Sequence, residues 1–157
     1  MKISTDHLFW AGDGHKVNQD YCLSGSRKDI HYAIVSDGCS SSPDTDFGSR
    51  ILAKAAENNI ESFHTDYFEH AVISEATVQV KSLNLSKRSL DATLLIILYD
   101  DFIVRFRCYG DGFCALIFND STDREPSVFE CGVKQTGDGE EYLLYRPLQR
   151  AVYQRSA

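Results

Sequence analysis

The sequence predicts a layered α+β domain, and three observations carry this prediction. Short apolar runs between turn residues fill the first third of the chain, helical periodicity follows, and longer apolar runs return after residue 91. The length of 157 residues fits one domain. Because no repeat, low-complexity tract or linker divides the chain, we expect a single domain over residues 1–157.

The first third is predicted to be β-structure. Apolar or aromatic runs at 8–11, 21–23 and 30–35 are separated by glycine, aspartate and serine. Such residues favour tight turns between short strands. We therefore expect three strands before residue 40.

The middle of the chain is predicted to form a helical hairpin. After Pro43, apolar residues recur at three- and four-residue steps as far as residue 63, and Asp44, Thr45 or Asp46 could cap the helix. A second stretch, about 65–83, has the same spacing, with a charged outer face. Two amphipathic helices joined by a short connection are expected to pack against each other.

The pattern returns to strands in an antiparallel meander. The first of these runs is almost wholly apolar, so it needs cover on both faces. We expect a helical layer on one side of the sheet and a second sheet or layer on the other. The residues beyond the last run are at best amphipathic and provide no second core. The predicted strands are 92–99, 102–109, 113–118, 127–131 and 142–145.

Composition and charge narrow the function classes. The chain has 16 basic and 23 acidic residues, a formal net charge of −7, which disfavours nucleic acid as a partner. Its five cysteines are widely spaced and form no CxxC pair, as is typical of a reducing compartment. Neither a signal-peptide core nor a run of about 18 apolar residues is present, and we expect a cytoplasmic protein without a membrane partner.

Acidic residues at the ends of predicted strands are the most informative feature. Asp20 opens a strand, Asp37-Gly38 closes the next, and Asp111 lies in a Gly-Asp-Gly turn between two apolar runs. If these ends meet at one edge of a sheet, the carboxylates would repel one another unless cations neutralise them. Oxygen ligands beside glycine suit Mg²⁺ or Mn²⁺, and such ions serve phosphate-ester hydrolysis. Two alternatives stay open. The chain could be a different hydrolase with an acidic site, or a structural domain in which each aspartate is a turn residue.

Taken together, these motifs resemble those of the metal-dependent protein phosphatase family, type 2C. The resemblance covers residues 8–118 and implies an α/β/β/α sandwich of antiparallel sheets with a helix pair. Its segments, in order, are His-Lys-Val-Asn-Gln-Asp at 15–20, Val-Ser-Asp-Gly-Cys-Ser at 35–40, Asp-Phe-Gly-Ser-Arg at 46–50, Asp-Ala-Thr-Leu-Leu at 91–95 and Tyr-Gly-Asp-Gly at 109–112.

The resemblance implies roles for individual residues. Asp37 would bridge two Mn²⁺ or Mg²⁺ ions, and the Gly38 carbonyl would bind one of them. Asp20 would hold metal-bound water, and Asp111 would match an additional metal site. The implied activity is a protein serine/threonine phosphatase that uses a metal-activated water on phosphorylated protein substrates, with Asp37 and Asp20 as its catalytic residues.

Two departures from the family pattern affect the expected site. Gln19 stands where many members have glutamate, and His15 and Lys16 stand where an arginine often binds phosphate, so these two are the candidate substrate-binding residues. His15 would bind phosphate only when protonated.

The family's two late metal aspartates have no counterpart, because the sequence contains no Asp-Asn and no matching Asp-Gly strand end. The domain is therefore expected to lack its C-terminal part, with the second ion site impaired and an open sheet edge that could allow self-association. The alternative function is a catalytically incomplete phosphatase-fold module with a binding or regulatory role.

Overall fold

A computed structural model describes residues 3–11, 16–100, 103–116, 127–131 and 149–154. Within these residues the elements follow the order β-β-α-α-β-β-β-β-β, with 3₁₀ turns at Ile60–Ser62 and Lys87–Leu90. No helix among the described residues is long and apolar enough to cross a membrane. The elements are β1 Tyr21–Arg27, β2 Ile30–Ser36, α1 Thr45–Asn58, α2 Tyr67–Ser82, β3 Leu94–Asp100, β4 Ile103–Tyr109, β5 Gly112–Leu116, β6 Ser127–Cys131 and β7 Gln149–Gln154.

The strands of the described ranges form two antiparallel sheets. The main sheet has the order β1-β2-β3-β4-β7, and β5 pairs with β6. Neighbouring strands in the main sheet run antiparallel throughout, so the end of β1 meets the start of β2 and the end of β3 meets the start of β4. These meanders explain why the start of β1, the end of β2, the start of β3 and the end of β4 all lie at one end of the sheet.

Helices α1 and α2 pack on one face of the main sheet and enclose the core. Ile34, Ile96 and Phe68 are almost fully buried between them. Helix α1 comes so close to the turn before β3 that a Cβ at Gly48 would overlap the carbonyl oxygen of Ser89. The apolar face of α1 and the alternating residues of β2 and β3 thus form one packed layer, as their periodicities predict.

The opposite face of the main sheet is only partly covered by the described residues. Phe106 and Cys108 are buried there, and Leu95 and Cys114 pack against them. Val35 is 47% exposed beside this cluster. The two-stranded sheet therefore begins a second layer over β3 and β4.

The α+β prediction is confirmed, including the helix pair and the antiparallel meander. Helix α2 was expected at 65–83 and lies within two residues of those bounds, and β6 has the predicted bounds. The predicted strand at 142–145 lies outside the described residues.

One predicted strand is absent, and one strand was not predicted. Residues 8–11 form no strand, although Phe9 packs its ring 5.5 Å from that of Tyr21 on β1. Leu8 and Trp10 are exposed, so this segment lacks the alternate burial that a paired strand requires. The residues near the end of the sequence do form a strand, β7, which covers the outer edge of β4.

Candidate metal centre

The strand register brings the predicted acidic residues to one end of the main sheet. Tyr21 pairs with Ser36, so Asp20 and Asp37 occupy neighbouring strand ends. Leu94 pairs with Tyr109, and the turn that contains Asp111 follows Tyr109 at the same end. We call Asp20, Asp37, Gly38 and Asp111 the acidic rim.

Thr93 fixes the backbone of Asp37 from the neighbouring strand. The Thr93 N–H donates to the Asp37 carbonyl at 2.8 Å, and the Asp37 N–H donates to Thr93 Oγ1 at 3.0 Å. The hydroxyl of Ser36 donates to the Thr93 carbonyl at 2.7 Å. With its backbone held on both sides, Asp37 lies at an exposed position at the end of β2.

Gly38 lies in a cradle of backbone atoms. A Cβ at this position would come within 2.8 Å of the carbonyl oxygens of both Gln19 and Thr45, so only glycine fits without a shift. Its N–H donates to the Gln19 carbonyl at 3.2 Å. Its own carbonyl accepts no hydrogen bond from the described residues. That oxygen therefore keeps its lone pairs for another partner, and the resemblance implies that this partner is a hard cation.

Gln19 supports the loop that follows Gly38. Its amide donates to Thr45 Oγ1 at 2.9 Å, and that hydroxyl donates to the Cys39 carbonyl at 3.0 Å. A glutamate here could not donate in this way when ionised. The departure at Gln19 thus replaces a charge at the rim with a hydrogen bond that ties the loop to α1.

Asp91 is a buried acidic residue that the sequence reasoning did not assign to the site. Its carboxylate accepts from the Ser42 hydroxyl at 2.6 Å, and Arg88 Nε lies 3.5 Å away. Its carbonyl accepts from the Cys39 N–H at 2.9 Å. Asp91 therefore holds the loop after Asp37 at two points. In the sequence, Asp91 opens the Asp-Ala-Thr-Leu-Leu segment directly before an apolar strand, but neither feature indicates these contacts.

The turn around Asp111 depends on its two glycines. Gly110 has φ of +94° and Gly112 has φ of +151°, both in the region that favours glycine. A Cβ on Gly110 would lie 2.8 Å from Thr93 Cγ2. Asp111 itself is exposed at the tip of this turn.

The substrate-side residues are less fully described. Lys16 is exposed, and His15 lies outside the described residues.

Asp20 is half-buried, and its N–H donates to Asn18 Oδ1 at 3.0 Å in a tight local turn. Burial, followed by the negative charge of Asp20, raises the pKa of the Cys22 thiol, which disfavours a thiolate beside the rim.

The rim suits hard-cation chemistry in its donor types. Asp20, Asp37 and the Gly38 carbonyl provide oxygen donors, as Mg²⁺ and Mn²⁺ prefer. The described residues contain no group of three or more histidine, cysteine, aspartate or glutamate side chains placed to hold a metal ion. The donor types suit such an ion, but the described carboxylates do not make up the full acidic set of a two-ion site.

The family relationship of the chain agrees with this geometry. A family model described as Protein phosphatase 2C matches residues 12–132, which is more than half of the chain. The chain therefore belongs to the protein phosphatase 2C family, a class of metal-dependent phosphatases. No curated protein matches it.

Solved structures support the same fold. The phosphatase domain of SpoIIE from Bacillus subtilis, solved with a fragment of its regulatory domain, is 17% identical with a TM-score of 0.56, and the match covers 92% of this chain and 40% of that chain. RsbX in complex with magnesium is 17% identical with a TM-score of 0.58, and the match covers 92% of this chain and 64% of RsbX. A chain solved in work on the bacterial stressosome is 15% identical with a TM-score of 0.59, over 90% and 65%. This chain thus spans less than two thirds of the length of each.

Proposed function

We propose that this protein is a Mn²⁺- or Mg²⁺-dependent phosphatase that hydrolyses phosphoserine and phosphothreonine in proteins. The observation that supports the proposal is that Asp20, Asp37 and the Asp111 turn lie at the same end of the main sheet, in a chain of the protein phosphatase 2C family. The magnesium bound by RsbX, a structural relative, supports the choice of metal.

Asp37, Asp20 and the Gly38 carbonyl would hold the first ion, and Asp111 would serve an additional site. When bound, a divalent cation neutralises phosphate charge and lowers the pKa of a coordinated water. The chain's own contribution is to hold these oxygens in place. Thr93 and Gly38 contribute contacts that fix the backbone from which the Asp37 side chain extends.

On the substrate side, Lys16 and His15 would contact the phosphate. Lys16 provides a point charge, whereas His15 contributes only when protonated. Phosphate binding would therefore weaken above the ordinary imidazole pKa of about 6.5.

We place the protein in the cytoplasm because its cysteines lack the close pairs typical of oxidised or metal-bound sites. The negative net charge of −7 argues against nucleic acid as a partner. Self-association would use the outer edge of β1, the strand at one side of the main sheet. Gel filtration at two protein concentrations tests that last point.

The decisive experiment is hydrolysis of p-nitrophenyl phosphate with Mn²⁺, with Mg²⁺ and after chelation. Asp37→Asn keeps the size of the side chain and removes its charge, and we expect it to lower metal-dependent turnover by about 100-fold or more. Asp29→Asn is the matched control, because Asp29 is exposed in the turn at the opposite end of the sheet.

Phosphoserine, phosphothreonine and phosphotyrosine peptides then test the substrate class. Turnover that survives chelation, or that is equal in Asp37→Asn and the wild-type chain, would contradict the proposed site. Preference for phosphotyrosine would contradict the proposed specificity while leaving the metal centre intact.

A further inference from the structure

An exposed arginine lies next to the acidic rim. Arg50 is on the outer side of α1, and its Cζ lies 5.3 Å from the ring centroid of Tyr21. Tyr21 directly follows Asp20 in the chain. Arg50 forms no ion pair with the acidic residues that the structure describes, including Asp46 one helical turn before it.

Aromatic contacts hold this arginine in place. The Tyr21 ring also packs against Phe9, with ring centroids 5.5 Å apart. Phe47, one turn before Arg50 on α1, is 51% exposed. A guanidinium that rests on an aromatic ring loses less freedom when it binds an oxyanion, and its planar fork matches a carboxylate or phosphate.

The charge of the rest of the chain makes this position unusual. The net charge is −7, and several other cations of the described residues are paired, as Lys54 is with Glu57 and Lys28 with Glu61. An acidic ligand would be repelled by most of the surface and attracted here.

We propose that Arg50, supported by Tyr21, selects phosphoprotein segments that carry a second acidic group a few residues from the scissile phosphate. This inference rests on the proposed function and adds a substrate class to it. Tyr21 is one peptide unit from Asp20, so Arg50 is on the order of 10 Å from the rim, the span of about three or four extended residues. A carboxylate and a second phosphate share this chemistry.

The test uses a series of phosphothreonine peptides that differ only in one position. Aspartate, phosphoserine or alanine is placed three or four residues before or after the phosphothreonine. With Mn²⁺ present, the wild-type chain should favour the acidic peptides through KM, with kcat nearly constant. Arg50→Gln should reduce the ratio of kcat/KM between acidic and neutral peptides by about three- to tenfold.

Two variants sharpen the test. Arg50→Lys keeps the charge but loses the planar fork, and should retain part of the preference. Lys54→Gln removes a cation from the same helix that is already bound to Glu57, and should leave the ratio unchanged. The preference should shrink between 50 mM and 500 mM salt, because exposed charges are screened.

Fluorescence anisotropy with the same peptides separates the two proposals. If the wild-type chain shows no metal-dependent turnover, the proposed function fails, while peptide binding still measures the role of Arg50. Equal affinity of the wild-type chain for acidic and neutral peptides, or a preference unchanged in Arg50→Gln, overturns the inference.

Discussion

The two ends of the main sheet differ in how closely backbone atoms of different segments approach one another. At the acidic rim, side chains take part, but backbone also meets backbone: the Gly38 N–H donates to the Gln19 carbonyl and the Thr93 N–H donates to the Asp37 carbonyl. At the opposite end, side chains make the contacts, with Lys28 and Glu61 2.8 Å apart and Arg105 bound to Asp100.

This difference predicts opposite responses to substitution. Backbone atoms cannot move aside without shifting whole strands, whereas the ends of flexible side chains can. The rim should therefore reject even a methyl group, and the opposite end should accept small changes. Single substitutions of decreasing severity test this contrast.

Gly38→Ala should be the most damaging change. The new Cβ would lie 2.8 Å from two backbone carbonyl oxygens, so the loops of Gln19 and Thr45 must separate. We expect a loss of about 3 kcal/mol in the free energy of unfolding, together with loss of metal-dependent turnover. Urea unfolding and p-nitrophenyl phosphate hydrolysis measure the two effects.

Gly25→Ala is the matched control at the opposite end. Its Cβ would also lie 2.8 Å from a neighbour, but that neighbour is the hydroxyl at the tip of Tyr32. We expect a cost of about 1 kcal/mol or less. Equal costs for the two alanines would contradict the contrast between the ends.

Gly110→Ala should have an intermediate effect. It combines a left-handed φ of +94° with a contact of 2.8 Å to Thr93 Cγ2, and we expect a cost of about 2 kcal/mol by urea unfolding. Combining it with Thr93→Ser removes the methyl contact but not the strained φ. If the double variant is as stable as Thr93→Ser alone, Gly110→Ala costs nothing once the methyl group is absent, and backbone strain is not the cause.

Tyr32→Phe should have a small effect, comparable with that of Gly25→Ala, and a pH-dependent one. The Tyr32 hydroxyl donates to Glu57 Oε1 at 2.8 Å. Removing that hydroxyl should lower the free energy of unfolding by about 1 kcal/mol at pH 7. Burial acts to raise the pKa of Glu57, but hydrogen bonds from Lys54 and Tyr32 together with the Lys54 charge outweigh it, so the pKa is lowered.

Because that pKa is lowered in the folded state, the stabilisation is present above the ordinary carboxyl pKa and is lost as pH falls through the folded value. The difference between Tyr32→Phe and the wild-type chain should therefore shrink between pH 5 and pH 3 in urea unfolding curves. Tyr67→Phe, at an exposed tyrosine, serves as the control. A difference that grows in acid would show that Glu57 is not the acceptor that matters.

The sequence predicted much of the fold because the patterns there are local. The apolar spacing of the two helices and the continuous apolar run of β3 each specify their element without distant partners. Strand β7 was missed because it pairs with β4 about 45 residues earlier, and no periodicity within 149–154 indicates that pairing. A strand was wrongly predicted at 8–11 because the apolar content of this exposed segment does not by itself show alternate burial.

For the site, residue types and their order along the chain were enough to indicate Asp20, Asp37 and Asp111. Their common position at one end of the sheet follows from an antiparallel meander, which could be anticipated. The contacts that support these residues could not be anticipated. Ser42, for example, donates to Asp91 across 49 residues of sequence. Likewise, no local pattern shows that Arg50 rests on Tyr21.

The close packing at Gly48 ties the helical layer to the rim. Since α1 touches the backbone of Ser89, any sliding of the helix along the sheet would displace the segment that carries Asp91. That segment holds Cys39 directly after Gly38, so the displacement would be transmitted to the loop that follows β2. The position of α1 and the backbone that carries Asp37 and Gly38 are therefore coupled through the packing of a segment that lies far from both in the sequence.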